Sequence, residues 1–214
     1  MQMAQNIRHY KGSRPIPQHK GYSECKIDGR FADWKQNTIE YRDTQGDTFH
    51  RNAKGYAGLI YTNTSGRNDI ITSKVAVGQK NISFYVETTD NITSHTDKNW
   101  LLLLVDADNN SSTGWYGYDF VINRSVKDER TTTLMQYDSA KKEWQYVADV
   151  AMRYADNHLE LSLPRELMNL TGDKLCFDFK WADNTAELED PISLCLDGDT
   201  APNRRFNYRL IWKK

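Results

Sequence analysis

The sequence predicts an all-β protein, an antiparallel β-sandwich of the jelly-roll or immunoglobulin-like kind with at most one short helix. Short β-prone runs are separated by turn residues along most of the chain, which is typical of such sandwiches. Apolar and polar side chains alternate over residues 159–163 and 175–181, so each run has one apolar face. A length of 214 residues suits one undivided domain of this class.

The chain divides into an N-terminal segment, residues 1–22, and one domain, residues 23–214. Few aliphatic residues occur in the segment, and prolines and glycines interrupt any regular pattern, which indicates a linker or an extended first strand. The segment also lacks the apolar core of a signal peptide, so the residues leave open whether the protein is cytosolic or has lost an export segment.

Turn residues and apolar runs place the elements of the domain in order. Residues 27–34 open it, and residues 36–54 are polar. Residues 78–81 contain glycine and connect β-prone runs at 70–77 and 82–88, as a hairpin requires. Further strands are predicted at 100–105, 117–123, 131–137, 144–148, 151–154, 158–163, 175–181 and 206–212.

Two elements stand apart from this alternating pattern. The run at 100–105 is continuously apolar, which indicates a strand buried on both faces, and it is too short to cross a membrane. Residues 164–170 are the one stretch that looks helical, because Pro164 suits a first helical turn and Gly172 follows the expected end.

Composition argues against several classes of function. Lysine and arginine number 28 against 29 for aspartate and glutamate, so no overall field attracts nucleic acid or an anionic membrane. Of the three cysteines, Cys176 and Cys195 could join neighbouring strands, which leaves Cys25 over. No cysteine or histidine spacing matches a zinc site. Six tryptophans and twelve tyrosines instead favour sheets with a wet binding surface.

The turn after the apolar strand predicts a cation site. Asp106, Asp108 and Asn110 place oxygen atoms at alternate positions, as a hard cation such as Ca²⁺ prefers, and Asp119 follows as a further ligand. The alternative is a polar turn whose side chains hydrogen-bond their own backbone.

Aromatic residues in the same turn predict a ligand surface. Trp115, Tyr116 and Tyr118 would offer flat faces to a pyranose ring, while Asn123 or Arg124 binds its hydroxyls. The alternative is that Trp115 plugs the end of the sandwich, since tryptophan is usually more buried than exposed.

Three residues nearer the C-terminus complete the predicted ligand set. Trp181 shares a strand face with two phenylalanines, which favours the core, yet it ends the strand close to Asn184. Arg205 belongs to a group of opposite charges that forms either a ligand-binding corner or solvated ion pairs.

Several motifs, in order along the chain, resemble those of family 9 carbohydrate-binding modules and the related DOMON-like sandwiches. They include Ile27-Asp28-Gly29, the stretch from Val105-Asp106 to Thr113-Gly114-Trp115, and residues 179–184, Phe-Lys-Trp-Ala-Asp-Asn. The resemblance covers roughly residues 24–212. Residues 66–70, 179–184 and 198–208 are similar to a subgroup found as accessory domains of polysaccharide-degrading proteins of Bacteroidetes.

The resemblance implies a non-catalytic carbohydrate-binding domain with a structural calcium. It also implies attachment to other domains of a glycan-degrading polypeptide, and a location that is extracellular, cell-surface or periplasmic. One departure concerns the ligand, because well-understood members clamp a sugar between two tryptophans. The loop that would carry one of them, Thr89–Asn99, has no aromatic residue here.

Three functions are therefore weighed. The first is carbohydrate binding as an accessory domain of a glycoside hydrolase, with no nucleic-acid partner and no membrane insertion. The second is a glycoside hydrolase acting on its own, which would need two carboxylates roughly 5–10 Å apart across a groove. The third is a structural spacer or protein-docking β-sandwich, in which the aromatic residues serve stability alone.

Overall fold

The structure consists mostly of β-strands. The computed structural model describes residues 16–48, 51–185, 188 and 190–214. Within these residues the one α-helix is α1, Ser193–Leu196, and 3-10 turns lie at Ala32–Gln36, Tyr56–Gly58 and Glu166–Met168. The strands are β1 Gln18–Lys20, β2 Glu40–Arg42, β3 Arg51–Lys54, β4 Ile60–Asn63, β5 Ile70–Val77, β6 Asn81–Thr88, β7 Leu102–Asp106, β8 Phe120–Asp128, β9 Thr131–Asp138, β10 Glu143–Ala155, β11 His158–Pro164, β12 Lys174–Asp183, β13 Asp199–Ala201 and β14 Tyr208–Lys213. The prediction of an all-β fold with at most one short helix is confirmed.

Twelve strands belong to one hydrogen-bonded sheet. Eleven follow the order β1-β14-β12-β7-β8-β9-β10-β11-β6-β5-β2, and β13 pairs with β12. Neighbouring strands are antiparallel except β1 and β14, which are parallel. Strands β3 and β4 form a separate hairpin. Hydrogen bonds thus connect the antiparallel strands into one continuous sheet, where the sequence predicts two layers.

The sheet curls into a half-barrel around a shared core. Phe84 of β6 packs edge-on against Phe179 of β12, with ring centres 5.4 Å apart. At the ends of the sheet, the Tyr41 hydroxyl of β2 donates to the Arg209 carbonyl of β14 at 3.1 Å. Strands far apart in the sheet order therefore meet across the interior, and the inner face of the sheet is occupied by the core.

The outer face, opposite the shared core, carries two smaller apolar clusters. They exist because side chains alternate across a strand, so a strand buried on both faces needs cover outside as well as inside. The outer cluster consists of Leu102, Leu104, Trp115, Tyr118, Val121, Ala182 and Leu194. The N-terminal cluster consists of Trp34, Ala76 and Tyr85, with Cys25 and Phe31 packed against it.

Strand β7 illustrates the double burial. All five of its residues are buried. Leu103 and Val105 belong to the shared core, whereas Leu102 and Leu104 belong to the outer cluster. The prediction of a strand buried on both faces is confirmed.

Two element predictions need correction. The strands expected at 144–148 and 151–154 are one strand, β10, because a bulge between Tyr146 and Ala148 absorbs the change of register without ending it. The helix expected at 164–170 is wrong, because Pro164 is still paired with Asn81 at the end of β11 and only a 3-10 turn follows.

Strands β1 and β14 pair at one edge of the sheet. Within the segment predicted as a linker or extended strand, residues 18–20 form β1, while residues 1–15 lie outside the described residues.

All three cysteines are free thiols. No helix among the described residues is long and apolar enough to cross a membrane.

Replacing Trp181 tests the shared core. Its side chain is fully buried, and its Nε1 donates to Ser73 Oγ at 2.9 Å. Trp181→Phe should lower the free energy of unfolding by about 1–3 kcal/mol, because it removes this hydrogen bond and leaves a cavity. Urea unfolding measures the loss. Tyr116→Ala, which changes a side chain that is 67% exposed, is the control and should cost less than about 0.5 kcal/mol. Equal losses would contradict the assignment of Trp181 to the core.

Candidate functional site: an acidic turn beside an aromatic depression

The chain between β7 and β8 forms a tight turn that only glycine permits. Trp115 N donates to Tyr118 O at 2.7 Å, and Tyr118 N donates to Trp115 O at 3.0 Å. Gly114 has φ +60°, and a Cβ there would lie 2.2 Å from Tyr118 O. The turn from Trp115 to Tyr118 has two central residues, and the second of them, Gly117, has φ +99°. This backbone holds Trp115 and Tyr118 in the outer cluster.

Three of the four predicted metal ligands converge in this turn. Asp106 ends β7, Asp108 follows in the turn, and Asp119 directly precedes β8. Each offers a carboxylate oxygen, and these oxygens lie within 4.8 Å of one another. The predicted cluster of acidic ligands is therefore formed by the fold, with one member buried, one exposed and one intermediate.

The predicted ligand Asn110 has a different part in the turn. Its Oδ1 accepts from Ser112 N at 3.1 Å, and its carbonyl accepts from the Thr113 hydroxyl at 2.8 Å. Its backbone N–H in turn donates to Asp108 Oδ1 at 2.8 Å. These are the local hydrogen bonds of a polar turn, which is the alternative to a cation site that the sequence left open. Asn110 thus orients the acidic cluster through its backbone.

Negative charge in the cluster is compensated only in part, because Arg209, whose charge acts on Asp106, is paired with Asp178. Burial is the main cause that raises the pKa of Asp106 to about 6, and the Asp119 and Asp178 carboxylates act in the same direction. The hydrogen bond from Asn110 N lowers the pKa and so opposes this shift. Burial also raises the pKa of Asp119. Among the described residues, the groups that hydrogen-bond the three carboxylates are backbone N–H groups and the Thr113 hydroxyl. A bound cation would supply the missing positive charge.

The donor set fits a hard cation. Carboxylate oxygens are the ligands that Ca²⁺ prefers, and the cluster offers three of the six to eight that it takes. Asn109, in the same turn, has a buried Oδ1 with no hydrogen-bond partner among the described residues. Asp106, Asp108 and Asp119 would hold the ion, which would link the end of β7 to the start of β8.

A depression lined by aromatic rings lies beside this turn. Trp115, Tyr137 and Trp144 line it, with a volume of about 350 Å³. The Trp144 ring centre is 6.2 Å from that of Trp115 and 5.1 Å from that of Tyr137. The remaining lining residues are Arg124, Lys142, Glu143 and Leu188. The depression therefore combines aromatic rings with hydrogen-bonding groups of both charges.

The three aromatic residues predicted as ligand contacts have different environments. Trp115 lines the depression but is only 6% exposed. Tyr116 is 67% exposed, and its ring stands at 88° to that of Trp115, with centres 5.4 Å apart. Tyr118 is buried, and its hydroxyl donates to Asn207 Oδ1 at 2.7 Å. Trp115 and Tyr116 are thus the members of this predicted set that an approaching ligand could contact.

The two residues of β8 that were predicted to bind sugar hydroxyls, Asn123 and Arg124, also have different environments. Arg124 lines the depression, as a hydroxyl-binding residue should. Asn123 is buried, has φ +67°, and donates from Nδ2 to Leu101 O at 2.7 Å. This environment gives Asn123 a role in joining β8 to the chain before β7.

The three predicted residues nearer the C-terminus do not line the depression. Trp181 lies in the shared core with no exposed surface, and this environment favours a structural role over contact with a ligand. Asn184 donates from Nδ2 to Ser65 O at 2.7 Å. Arg205 places its guanidinium 6.0 Å from the ring centre of Phe206. Their proposed ligand contacts remain predictions.

Sequence reasoning missed two of the aromatic residues that line the depression, Tyr137 and Trp144. They are directly opposite each other in the β9–β10 hairpin. The signal was available, because both flank the turn between two predicted strands, and cross-strand aromatic pairs are a common stabilising contact.

Comparison with known proteins adds no family to this picture. No protein-family model, curated protein or solved structure gives a significant match to the chain. The resemblance to family 9 carbohydrate-binding modules therefore remains an expectation based on the quoted motifs.

A second acidic cluster consists of Asp43, Asp47 and Asp199, whose carboxylate oxygens also lie within 4.8 Å of one another. Burial raises the pKa of Asp43 to about 6 and that of Asp199 to about 8. This cluster has a buried ammonium group nearby, whereas the cation that acts on Asp106 of the first cluster, Arg209, is paired with Asp178. Lys180 donates to the Pro202 carbonyl, and its charge lowers the pKa of Asp43. Lys180 therefore supplies part of the positive charge that a cation would bring to this second cluster.

Calcium should stabilise the protein through the first cluster. At a concentration one hundred times its Kd, a ligand of the folded state adds about 2.7 kcal/mol, which corresponds to a Tm rise of about 5–10 °C for a chain of this size. Calorimetric melting with calcium chloride, compared with melting in chelator, measures the rise.

Asp106→Asn should abolish this rise, because it removes the buried carboxylate of the cluster. Asp173→Asn is the matched control, since the Asp173 side chain is 74% exposed and lies outside the cluster. The control should keep the full rise. An unchanged Tm of the unaltered protein in calcium would contradict the prediction.

Proposed function

We propose that this chain is a non-catalytic carbohydrate-binding domain whose ligand occupies the depression lined by Trp115, Tyr137 and Trp144. The observation that best supports this proposal is that aromatic rings line the depression together with Arg124, Lys142 and Glu143. Such a surface suits a molecule with apolar faces and polar edges. A pyranose ring has both, because its axial C–H groups form a face and its hydroxyls project outward.

The charged groups in the depression include both hydrogen-bond donors and an acceptor, which suits a ligand with many hydroxyls. Arg124 and Lys142 donate hydrogen bonds, and Glu143 accepts them, so each hydroxyl of a sugar can find a partner of either kind. A strongly anionic ligand would meet Glu143, and a purely apolar one would remove three charged groups from water without pairing them. The expected Kd is micromolar to millimolar, or about 4–8 kcal/mol, as for small polar ligands in shallow sites.

Exposure of Tyr116 gives the ligand a further contact. Its ring is nearly perpendicular to that of Trp115. Trp115 is close to both Tyr116 and Trp144, so the proposal is that a sugar bound against Trp144 also contacts the Tyr116 ring. This arrangement would replace the pair of tryptophans that clamps the sugar in the family that the sequence resembles.

Several wider features belong to the same proposal. The domain would be an accessory part of a glycoside hydrolase or another glycan-degrading polypeptide, outside the cell, on its surface or in the periplasm. Calcium would hold the acidic turn. The sandwich architecture is also proposed, and its support is the contact between the two halves of the curled sheet, such as Phe84 of β6 with Phe179 of β12.

One observation favours the spacer or docking function as a second candidate. Trp115 is only 6% exposed and packs in the outer cluster, so stability alone could explain its presence. Hydrolysis in the depression has less support. Among its described lining residues Glu143 is the one carboxylate, whereas acid–base hydrolysis requires two.

Binding measurements on matched variants test the proposal. The unaltered protein should bind at least one glycan on an array of plant and host polysaccharides, and calorimetry on that glycan gives the Kd. Trp144→Ala should weaken binding about tenfold or more, because a stacking ring contributes about 1–2 kcal/mol.

The matched control is Tyr146→Ala, on the same strand as Trp144. Its ring is 58% exposed and does not line the depression, so the Kd should change less than about twofold. A protein that binds no glycan on the array would support the spacer function. Release of new reducing ends from a bound glycan would support hydrolysis.

A further inference from the structure

A second and larger cleft lies on the outer face of the sheet, away from the depression. Its volume is about 640 Å³, within the usual range of small-molecule sites. Strands β2, β5, β6 and β11 form its floor, and residues 29–35 form a wall. The depression uses Glu143 and Trp144 at the start of β10, whereas the cleft uses only the last residue of that strand, Ala155. The two sites therefore use different residues.

Strand register builds the floor from two rows of side chains. In one row, Glu40, Lys74 and Tyr85 are opposite one another across β2, β5 and β6. In the next row, Glu87 lies opposite both Thr72 of β5 and His158 of β11. Neighbouring rows on one face of a sheet are two residues apart along each strand. The floor is thus a regular array of polar groups.

Aromatic rings form one side of the cleft. Tyr85 stacks on Trp34 with ring centres 5.3 Å apart, and on His158 with centres 5.7 Å apart. The Phe31 ring lies 5.1 Å from that of His158. Trp34 is fixed in this stack because its Nε1 donates to the buried Glu160 Oε2 at 2.7 Å. Of these rings, Phe31 and His158 are partly exposed, and both line the cleft.

Hydrogen-bonding groups in the cleft are already oriented. The Tyr85 hydroxyl and His158 Nδ1 lie 2.7 Å apart, which leaves Nε2 as the second ring nitrogen available to a ligand. Lys74 Nζ lies 3.1 Å from Glu40 Oε2, and it also donates to the Trp34 carbonyl. Groups held in this way lose little freedom when a ligand binds.

Opposite charges are balanced around the cleft. Glu40 pairs with both Lys74 and Arg42. Burial raises the pKa of Glu40, but the hydrogen bonds and charges of these two partners outweigh it and leave the pKa below its usual value. The charged lining residues are Arg30, Lys35, Arg42 and Lys74 on the positive side and Glu40, Glu87 and Asp156 on the negative side. The cleft therefore has no strong field of either sign.

This balance narrows the class of ligand. Phosphate groups and nucleic acids require a concentration of positive charge, which the carboxylates cancel. An apolar ligand would bury the charged groups without pairing them. A neutral polyhydroxylated chain fits, because it accepts hydrogen bonds from cations, donates to carboxylates and stacks on a ring.

We propose that this cleft is a second carbohydrate-binding site, which takes a segment of a neutral oligosaccharide against Phe31 and His158. Glu87 accepts hydrogen bonds from its hydroxyls. The inference rests on the proposed carbohydrate ligand, although it uses none of the residues of the depression. Two weak sites on one chain raise the apparent affinity for a polysaccharide that reaches both, since the second contact becomes intramolecular.

Tryptophan signals distinguish the two sites. The indole N–H resonances of isotope-labelled tryptophan are recorded during titration with cellohexaose, xylohexaose and mannohexaose. Trp34→Phe and Trp144→Phe assign the two reporter signals. An oligosaccharide in the cleft should shift the Trp34 signal, and one in the depression should shift the Trp144 signal.

Variants connect the Trp34 shift to the cleft. Glu87→Gln should raise the Kd obtained from this shift about tenfold, because it removes a charged acceptor. Phe31→Ala should do the same by removing the stacking ring. Trp144→Ala should leave the Kd from the Trp34 signal unchanged. Glu166→Gln, which changes an exposed carboxylate outside the cleft, is the control and should also leave it unchanged.

Each remaining outcome contradicts a different statement. If only the Trp144 signal shifts, the second site is overturned and the proposed function stands. If only the Trp34 signal shifts, carbohydrate binding stands but its assignment to the depression fails. If neither signal shifts with any of the oligosaccharides, both sites are overturned. A Trp34 shift that Glu87→Gln and Phe31→Ala leave unaltered would place the ligand elsewhere and overturn the cleft.

Discussion

Double burial of strand β7 is the constraint on which the candidate site depends. Leu103 and Val105 pack in the shared core, but Leu102 and Leu104 point outward and are equally buried. Leaving two leucines exposed would forfeit about 3–6 kcal/mol of apolar burial. The turn that follows β7 provides the cover, because it returns Trp115 over the outer face.

The same turn therefore links stability to the proposed chemistry. Asp106 ends β7 and Asp119 immediately precedes β8, so both carboxylates are held by strands that the core fixes. The Trp115–Tyr118 hairpin lies between these two ends. A cation bound by the carboxylates would restrain the ends of the loop, and with them the ring that lines the depression. Metal and ligand would then be coupled through backbone geometry, without direct contact.

The local sequence pattern predicted many of the strands, but it could not predict pairings between strands that are far apart in the sequence. The alternation at 159–163 and the apolar run at 100–105 correspond to β11 and β7, because side-chain period is a property of a few neighbouring residues. The pattern cannot show which strands meet in space. Pro164 looked like the start of a helix, yet its pairing with Asn81 keeps it in the sheet. For Trp144, the pairing with Tyr137 across the β9–β10 hairpin could be predicted from the sequence, but the contact with Trp115 in another turn could not.

The curled sheet explains why half of the tryptophans lie away from the main core. Trp100, Trp181 and Trp212 fill the shared core, whereas Trp34, Trp115 and Trp144 pack on the outer face. The core fills the inner face of this curled sheet, so the outer face is the face that can carry ligands. Rings placed there must coexist with water and charged groups, as Trp34 does through its hydrogen bond to Glu160. The number of tryptophans alone could not distinguish core residues from ligand-site residues, because a count of residue types does not show where each side chain lies. What separates them is the strand face on which each lies.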